Sequence, residues 1–165
     1  MGVAGSGKTL IGSMLAQSLN WNFADADQFH PAANIQKMSQ GVPLTGGDRE
    51  PWLRAMREAI DGWIKSGRNT VLACSALKQS YRERLTAGPE VKIVYLKGEP
   101  DLIHARLSHR QGHYMKADML ASQFADFEEP ADAIVIDIAR PPEQIVSEIQ
   151  RGLGLSDSRT HQNRR

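Results

Sequence analysis

The chain has 165 residues, a formal net charge of +1, 41% hydrophobic and 24% charged content. These values suit one globular domain with a real core, and the even charge supplies no global field for nucleic acid or an acidic membrane surface, so any anion site must be local. No apolar run reaches transmembrane length, no secretory signal precedes the first motif, and the single Cys74 excludes an internal disulfide framework. A cytoplasmic location is the expectation.

The chain opens on Gly2-Val3-Ala4-Gly5-Ser6-Gly7-Lys8-Thr9, which fits the phosphate-loop pattern G-x-x-x-x-G-K-[ST] at every fixed position. Gly5 and Gly7 let the backbone turn tightly so that N–H groups face phosphate oxygens. Lys8 brings a cation to the β- and γ-phosphates, and the Thr9 hydroxyl can ligate Mg²⁺. Gly5, Ser6, Gly7, Lys8 and Thr9 are thus the expected nucleotide-binding residues. Ile11, Met14, Leu15, Ser18 and Leu19 follow at helical spacing, so the loop opens a helix whose positive end favours an anion. Only Met1 precedes the motif, where an apolar strand normally feeds in as a central member of a parallel sheet. Its neighbours are expected to face each other across a gap, with backbone groups unpaired. A start further upstream is the favoured expectation.

Short apolar runs then alternate with periodic helices, which predicts an α/β fold with a parallel sheet. The predicted strands are Asn22–Ala26, Thr70–Cys74, Lys92–Leu96 and Ala133–Ile138. Between the first two lies a helical insertion over about 30–66. It holds a short helix from Asn34 to Ser39, ended by Gly41 and Pro43, and a longer one capped by Asp48 with Pro51 in its first turn. Trp52, Met56, Ile60 and Trp63 form the buried stripe of the latter, with Leu53 and Ile64 beside it. Later helices are expected near Lys78, at Pro100-Asp101, near Asp118 and at Pro142-Glu143. The last carries Ile145, Ile149 and Leu153 on one face and stops before Gly154. Residues 1–155 read as one domain with a lid over about 110–130, and 156–165 as a polar, disordered tail.

Three groupings carry chemistry. Asp25-Ala26-Asp27, followed by His30-Pro31, closes the first predicted strand, and alternation puts both carboxylates on one side at its carboxyl end. Asp25 is the candidate metal-shell ligand and Asp27 the candidate base for an attacking hydroxyl. Cys74-Ser75-Ala76-Leu77-Lys78 passes from strand to helix, and Lys78 and Arg82, read as one helical turn apart, can face the same anion. Cys74 reads as a small buried hydrophobe. Arg106 and Arg110 share a face and lead into Gln111-Gly112-His113-Tyr114-Met115, an arrangement suited to a lid that excludes water and brings guanidinium charge to a transferring phosphoryl group.

Taken together, these blocks resemble the small gluconate kinases. The likeness runs through the phosphate loop, Asp25-Ala26-Asp27 with His30-Pro31, Asn34, Lys37-Met38, Gly41, Pro43-Leu44, Asp48-Arg49 and Pro51-Trp52-Leu53. It continues through Cys74-Ser75-Ala76-Leu77-Lys78, Tyr81-Arg82, Arg106, Arg110, Gly112-His113-Tyr114-Met115, Ser122-Gln123-Phe124, Glu128 and Pro130. The resemblance implies an adenylate-kinase-like three-layer α/β/α phosphate-loop NTPase fold, ATP with Mg²⁺ as cofactors, D-gluconate as acceptor, and a homodimer, with no nucleic-acid or membrane partner. It implies Lys8, Asp27 and Arg110 in catalysis and Arg106 beside Arg110 at the nucleotide. It further implies Thr9 and Asp25 at the metal, and His30, Lys37, Arg49, Ser75, Lys78, Arg82, His113 and Gln123 around the acceptor. Gly46 stands where that family usually has an aspartate, which makes the local turn more flexible. The competing expectations are a related small-metabolite kinase, such as a shikimate kinase, and a non-catalytic nucleotide-binding module.

Overall fold

The computed structural model describes residues 1–86, 88–108 and 117–155. Gly7, in the left-handed region at φ 91°, caps helix α1 (Lys8–Leu19), which buries Ile11, Gly12, Leu15 and Ala16. Strand β1 (Asn22–Asp25) follows, one residue shorter than predicted because the Asp25 carboxylate accepts from the Asp27 N–H and starts a 3-10 turn over Ala26–Phe29. Helix α2 spans Ala32–Ser39 and α3 spans Gly46–Lys65. The cap of α3 is Thr45 rather than Asp48. The Thr45 hydroxyl accepts from the Asp48 N–H, and the Asp48 carboxylate accepts from the Thr45 N–H, a reciprocal capping box. Trp52, Leu53, Met56 and Ile60 are buried as the stripe requires, while Ile64 is exposed.

Strand β2 (Thr70–Ala73), α4 (Gln79–Leu85), β3 (Val94–Lys97), α5 (Pro100–Ser108), α6 (Ala117–Ala125), β4 (Ile134–Asp137) and α7 (Pro142–Gly152) complete the described chain. The strands carry helices on both faces. On β2, Val71 packs into the cluster of Ile11, Leu15, Ile103, Ile145 and Ile149, and its neighbour Leu72 into that of Trp52, Met56, Ile60 and Leu85. The strand period of two thus separates an α1–α5–α7 layer from an α3–α4 layer.

The sheet is not continuous. β1 pairs in parallel with β2, β3 pairs in parallel with β4, and the two pairs do not bond to each other. Met1 and Gly2 mark the line between them. The Met1 carbonyl accepts from Leu96 N–H at 2.9 Å, its amino group donates to the Val94 carbonyl, and Gly2 N–H reaches the Ser75 carbonyl at 3.4 Å. Further along that line the facing edges of β2 and β3 enclose a cavity of about 420 Å³, lined by Ile11, Leu15, Leu72, Val94, Leu96 and Ile149 among others. The expected single parallel sheet is therefore two half-sheets about a slot, which is the gap that the short lead into the phosphate loop foretold.

Candidate active site

The phosphate loop bends from Val3 to Gly7 under tight steric limits. A Cβ on Gly5, at φ 82°, would stand 2.8 Å from the Leu107 side chain. No described residue accepts the backbone N–H of Gly5, Gly7 or Thr9, so these donors remain for an anion at the start of α1. Ser6 contributes differently. Its N–H bonds to the Val3 carbonyl, and its buried hydroxyl points toward Gly2 rather than into the cradle. The Lys8 ammonium lies on the Val3 carbonyl at 2.9 Å, folded along the loop that it would leave for a phosphate.

One carboxylate joins this cradle to the next turn. Asp25 accepts from the Thr9 hydroxyl at 3.0 Å through Oδ2 and from the Asp27 N–H at 3.1 Å through Oδ1. Asp27 stands exposed in the 3-10 turn, so a turn rather than strand alternation sets it beside Asp25. A hydroxyl and a carboxylate are hard oxygen donors. Together they would suit a Mg²⁺, which prefers oxygen ligands.

Beyond that turn, His30 stacks on Trp52 with centroids 4.7 Å apart and 4° between the planes. Trp52 donates its indole N–H to the Ala26 carbonyl at 2.8 Å, which ties α3 to the turn that carries Asp27. Burial lowers the His30 pKa, and the Arg49 charge adds to this against the opposing pull of Asp27. Lys37 is 2.7 Å from Asp48 and so braces α2 against the start of α3. Ser75 follows β2, with its carbonyl on Gly2 and Ala76 beside it in the left-handed region at φ 43°.

Besides Lys37, three expected cations have protein partners instead. Lys78 and Arg82 do not present a common helical face, because Lys78 is the extended cap of α4 and pairs with Asp126 at 3.3 Å. Arg82 is buried, with its guanidinium on the Ala76 and Leu77 carbonyls at 3.0 and 2.9 Å. Arg106 donates to the Ile138 carbonyl at 2.7 Å, an anchor between α5 and the end of β4. Gln123 on α6 accepts from the Ala4 N–H at 2.7 Å and so touches the phosphate loop. Arg110, His113, the 110–116 part of the lid predicted over about 110–130, and the tail predicted over 156–165 lie outside the described residues. Two further residues, Asn34 and Trp52, shape the wall around His30. The spacing of four between His30 and Asn34 is the sequence signal for the first, whereas Trp52, in an apolar stripe, reads as core alone although a buried indole N–H needs an acceptor.

A phosphate cradle at the head of α1, joined through Asp25 to the Asp27 turn on a parallel α/β scaffold, is the arrangement of a small-molecule kinase. A family model described as shikimate kinase matches residues 4–153. The thermoresistant gluconokinase of Escherichia coli K12 is 42% identical over 152 residues, covering 89% of this chain and 87% of its own. A sugar kinase from Janibacter sp. HTCC2649 superposes with a TM-score of 0.86 at 43% identity, covering 94% of this chain and 92% of that one. A gluconokinase from Sinorhizobium meliloti 1021 superposes with a TM-score of 0.83 at 38% identity, covering 93% and 89%. The chain belongs to the gluconokinase branch of the shikimate-kinase-like family.

Proposed function

We propose that this chain transfers the γ-phosphoryl group of ATP to the terminal hydroxyl of D-gluconate, giving 6-phospho-D-gluconate and ADP. The observation that carries the reading is the pair of bonds on Asp25, which hold Thr9 and the Asp27 turn to one carboxylate. That link supports reading the triphosphate cradle and the candidate base as parts of one cleft. Thr9 and Asp25 would hold Mg²⁺, which when bound offsets charge on the phosphate oxygens. Asp27 accepts the proton of the attacking hydroxyl, and Lys8 leaves the Val3 carbonyl to meet the β- and γ-phosphates. Arg49 and His30 line the acceptor side, with Ser75 and Lys78 at the edge of β2. Lys37, Arg82 and Gln123 serve that pocket by bracing its walls. Arg106 anchors α5, and Arg110 and His113 are assigned to the nucleotide and acceptor from their place in the motif pattern.

Gluconate is an acyclic polyol carboxylate, so cations at one end and a carboxylate at the other orient it for in-line transfer. The reading further includes a cytoplasmic homodimer, and sedimentation of the purified chain at twice the monomer mass tests the latter. The deciding experiment is coupled ADP release across a panel of acceptors. Turnover should require D-gluconate, and equal turnover with glucose or shikimate would overturn the assignment.

A further inference from the structure

His30 is held on two sides, and the two restraints together decide where its proton sits. Its plane is set by the stack on Trp52, whose indole is itself fixed by the Ala26 carbonyl. The ring edge is set by Asn34, a buried side chain only 3% exposed, whose Nδ2 lies 3.4 Å from His30 Nδ1. The orientation of that amide is not ambiguous. Asn34 Nδ2 also stands 2.7 Å from the Asp48 carbonyl, which can only accept, so the nitrogen and not the oxygen occupies this side. One amide hydrogen serves Asp48, and the second is left facing Nδ1. A donor in that place requires a lone pair on Nδ1.

We propose that Asn34 is a positioning residue that sets His30 in its Nε2–H tautomer, so that the imidazole offers the sugar acid an N–H donor beside Asp27. His30 is then neither a second base nor a cation. The proposal rests on the reading of this cleft as the gluconate site. Its chemical consequence is directional. A hydroxyl whose oxygen accepts from Nε2–H keeps its own proton free for Asp27, so donor and base act on one hydroxyl without competing. The charged groups around the ring agree with a neutral form. Asp27 from the 3-10 turn favours the imidazolium, while burial and Arg49 from α3 oppose it more strongly. Lys37 of α2 and Asp48 of α3 are bound to each other at 2.7 Å and largely cancel.

The test is nitrogen-15 NMR of histidine-labelled full-length protein at neutral pH, with the His30 signals identified by their loss in His30→Gln. Wild-type protein should show Nδ1 without a proton and Nε2 with one. A proton on Nδ1, or an imidazolium, would overturn the proposal whatever the enzyme turns over. Asn34→Asp, checked for folding by circular dichroism, replaces the donor with an acceptor. It should move the proton to Nδ1 and raise the His30 titration midpoint. It should also raise KM for gluconate at least fivefold while leaving KM for ATP within twofold. An unchanged tautomer in folded Asn34→Asp, or equal rises in both KM values, would remove Asn34 from this role. Should wild-type protein show the Nε2–H form yet fail to phosphorylate gluconate, the functional reading falls and the tautomer assignment stands.

Discussion

Asp27 and Arg82 illustrate how neighbours divide charged side chains between chemistry and structure. Asp27 is exposed, and only its backbone is engaged by Asp25, so its carboxylate is available to a substrate. Asp27→Asn should lower kcat by about 10²–10⁴-fold, the usual weight of a general base, while ATP affinity measured by calorimetry stays within a few-fold. Near-normal turnover would remove Asp27 from proton transfer. Arg82 has the opposite fate. Its buried guanidinium satisfies the Ala76 and Leu77 carbonyls beside the left-handed Ala76. Arg82→Met leaves those acceptors unmatched and should cost about 2 kcal/mol of stability in urea unfolding. Its effect on acceptor KM should follow from the displaced loop around Ser75, not from a lost contact to the anion.

Helix α3 is the element on which the proposed acceptor side is built. Its first turn holds Lys37 and Asn34 through Asp48, and its second turn holds His30 and Ala26 through Trp52. The capping box is therefore both a helix start and a fixture of the site. Thr45→Ala should cost about 1 kcal/mol, seen as a melting temperature lower by about 2–4 °C. Asp48 adds a pH signature. Hydrogen bonds from Lys37 and from Thr45 hold its pKa down from 3.8 to about 2. A carboxylate depressed on folding stabilises above its unfolded pKa, and that contribution fades as the pH falls from about 4 toward 2. Asp48→Asn should thus melt below the wild type at pH 7, and the two curves should converge by about pH 2. A difference that persists undiminished in acid would contradict the Lys37–Asp48 assignment.

Across the molecule, the slot between β2 and β3 is the weak line. The Met1 amino group is buried beside the Val94 carbonyl, and burial, with the Lys8 charge second, lowers its pKa from 8.0 to about 5. In a chain that starts at Met1, folding therefore favours the neutral amine. Stability is thus whole above pH 8 and is lost as the pH falls toward 5, by up to about 4 kcal/mol. An amide N–H at the same place keeps the hydrogen bond without the charge. Adding four β-branched apolar residues ahead of Met1 should fill the slot, pair both strand edges, and raise the melting temperature by at least about 5 °C. The same extension should flatten the pH dependence between 5 and 8. An unchanged melting temperature would show that β2 and β3 do not accept a strand between them.

The phosphate loop and the order of strands and helices were legible in the chain alone, because each is set by local rules. Glycine spacing dictates the loop, period-two and period-3.6 patterns separate strands from helices, and Pro and Gly mark their ends. Even the gap in the sheet was legible, since a phosphate loop with one residue before it leaves its neighbours unpaired. The partners of Arg82, Arg106, Lys78 and Gln123 were not legible. A cation four residues along a predicted helix looks the same whether it faces solvent, a carbonyl or a phosphate. Which of these it meets depends on elements remote in sequence, as when Arg106 reaches Ile138 or Gln123 reaches Ala4. Tertiary packing alone decided which charges are consumed in holding the walls and which stay exposed, because burial drives most polar groups to find a partner and the nearest one is rarely a neighbour along the chain.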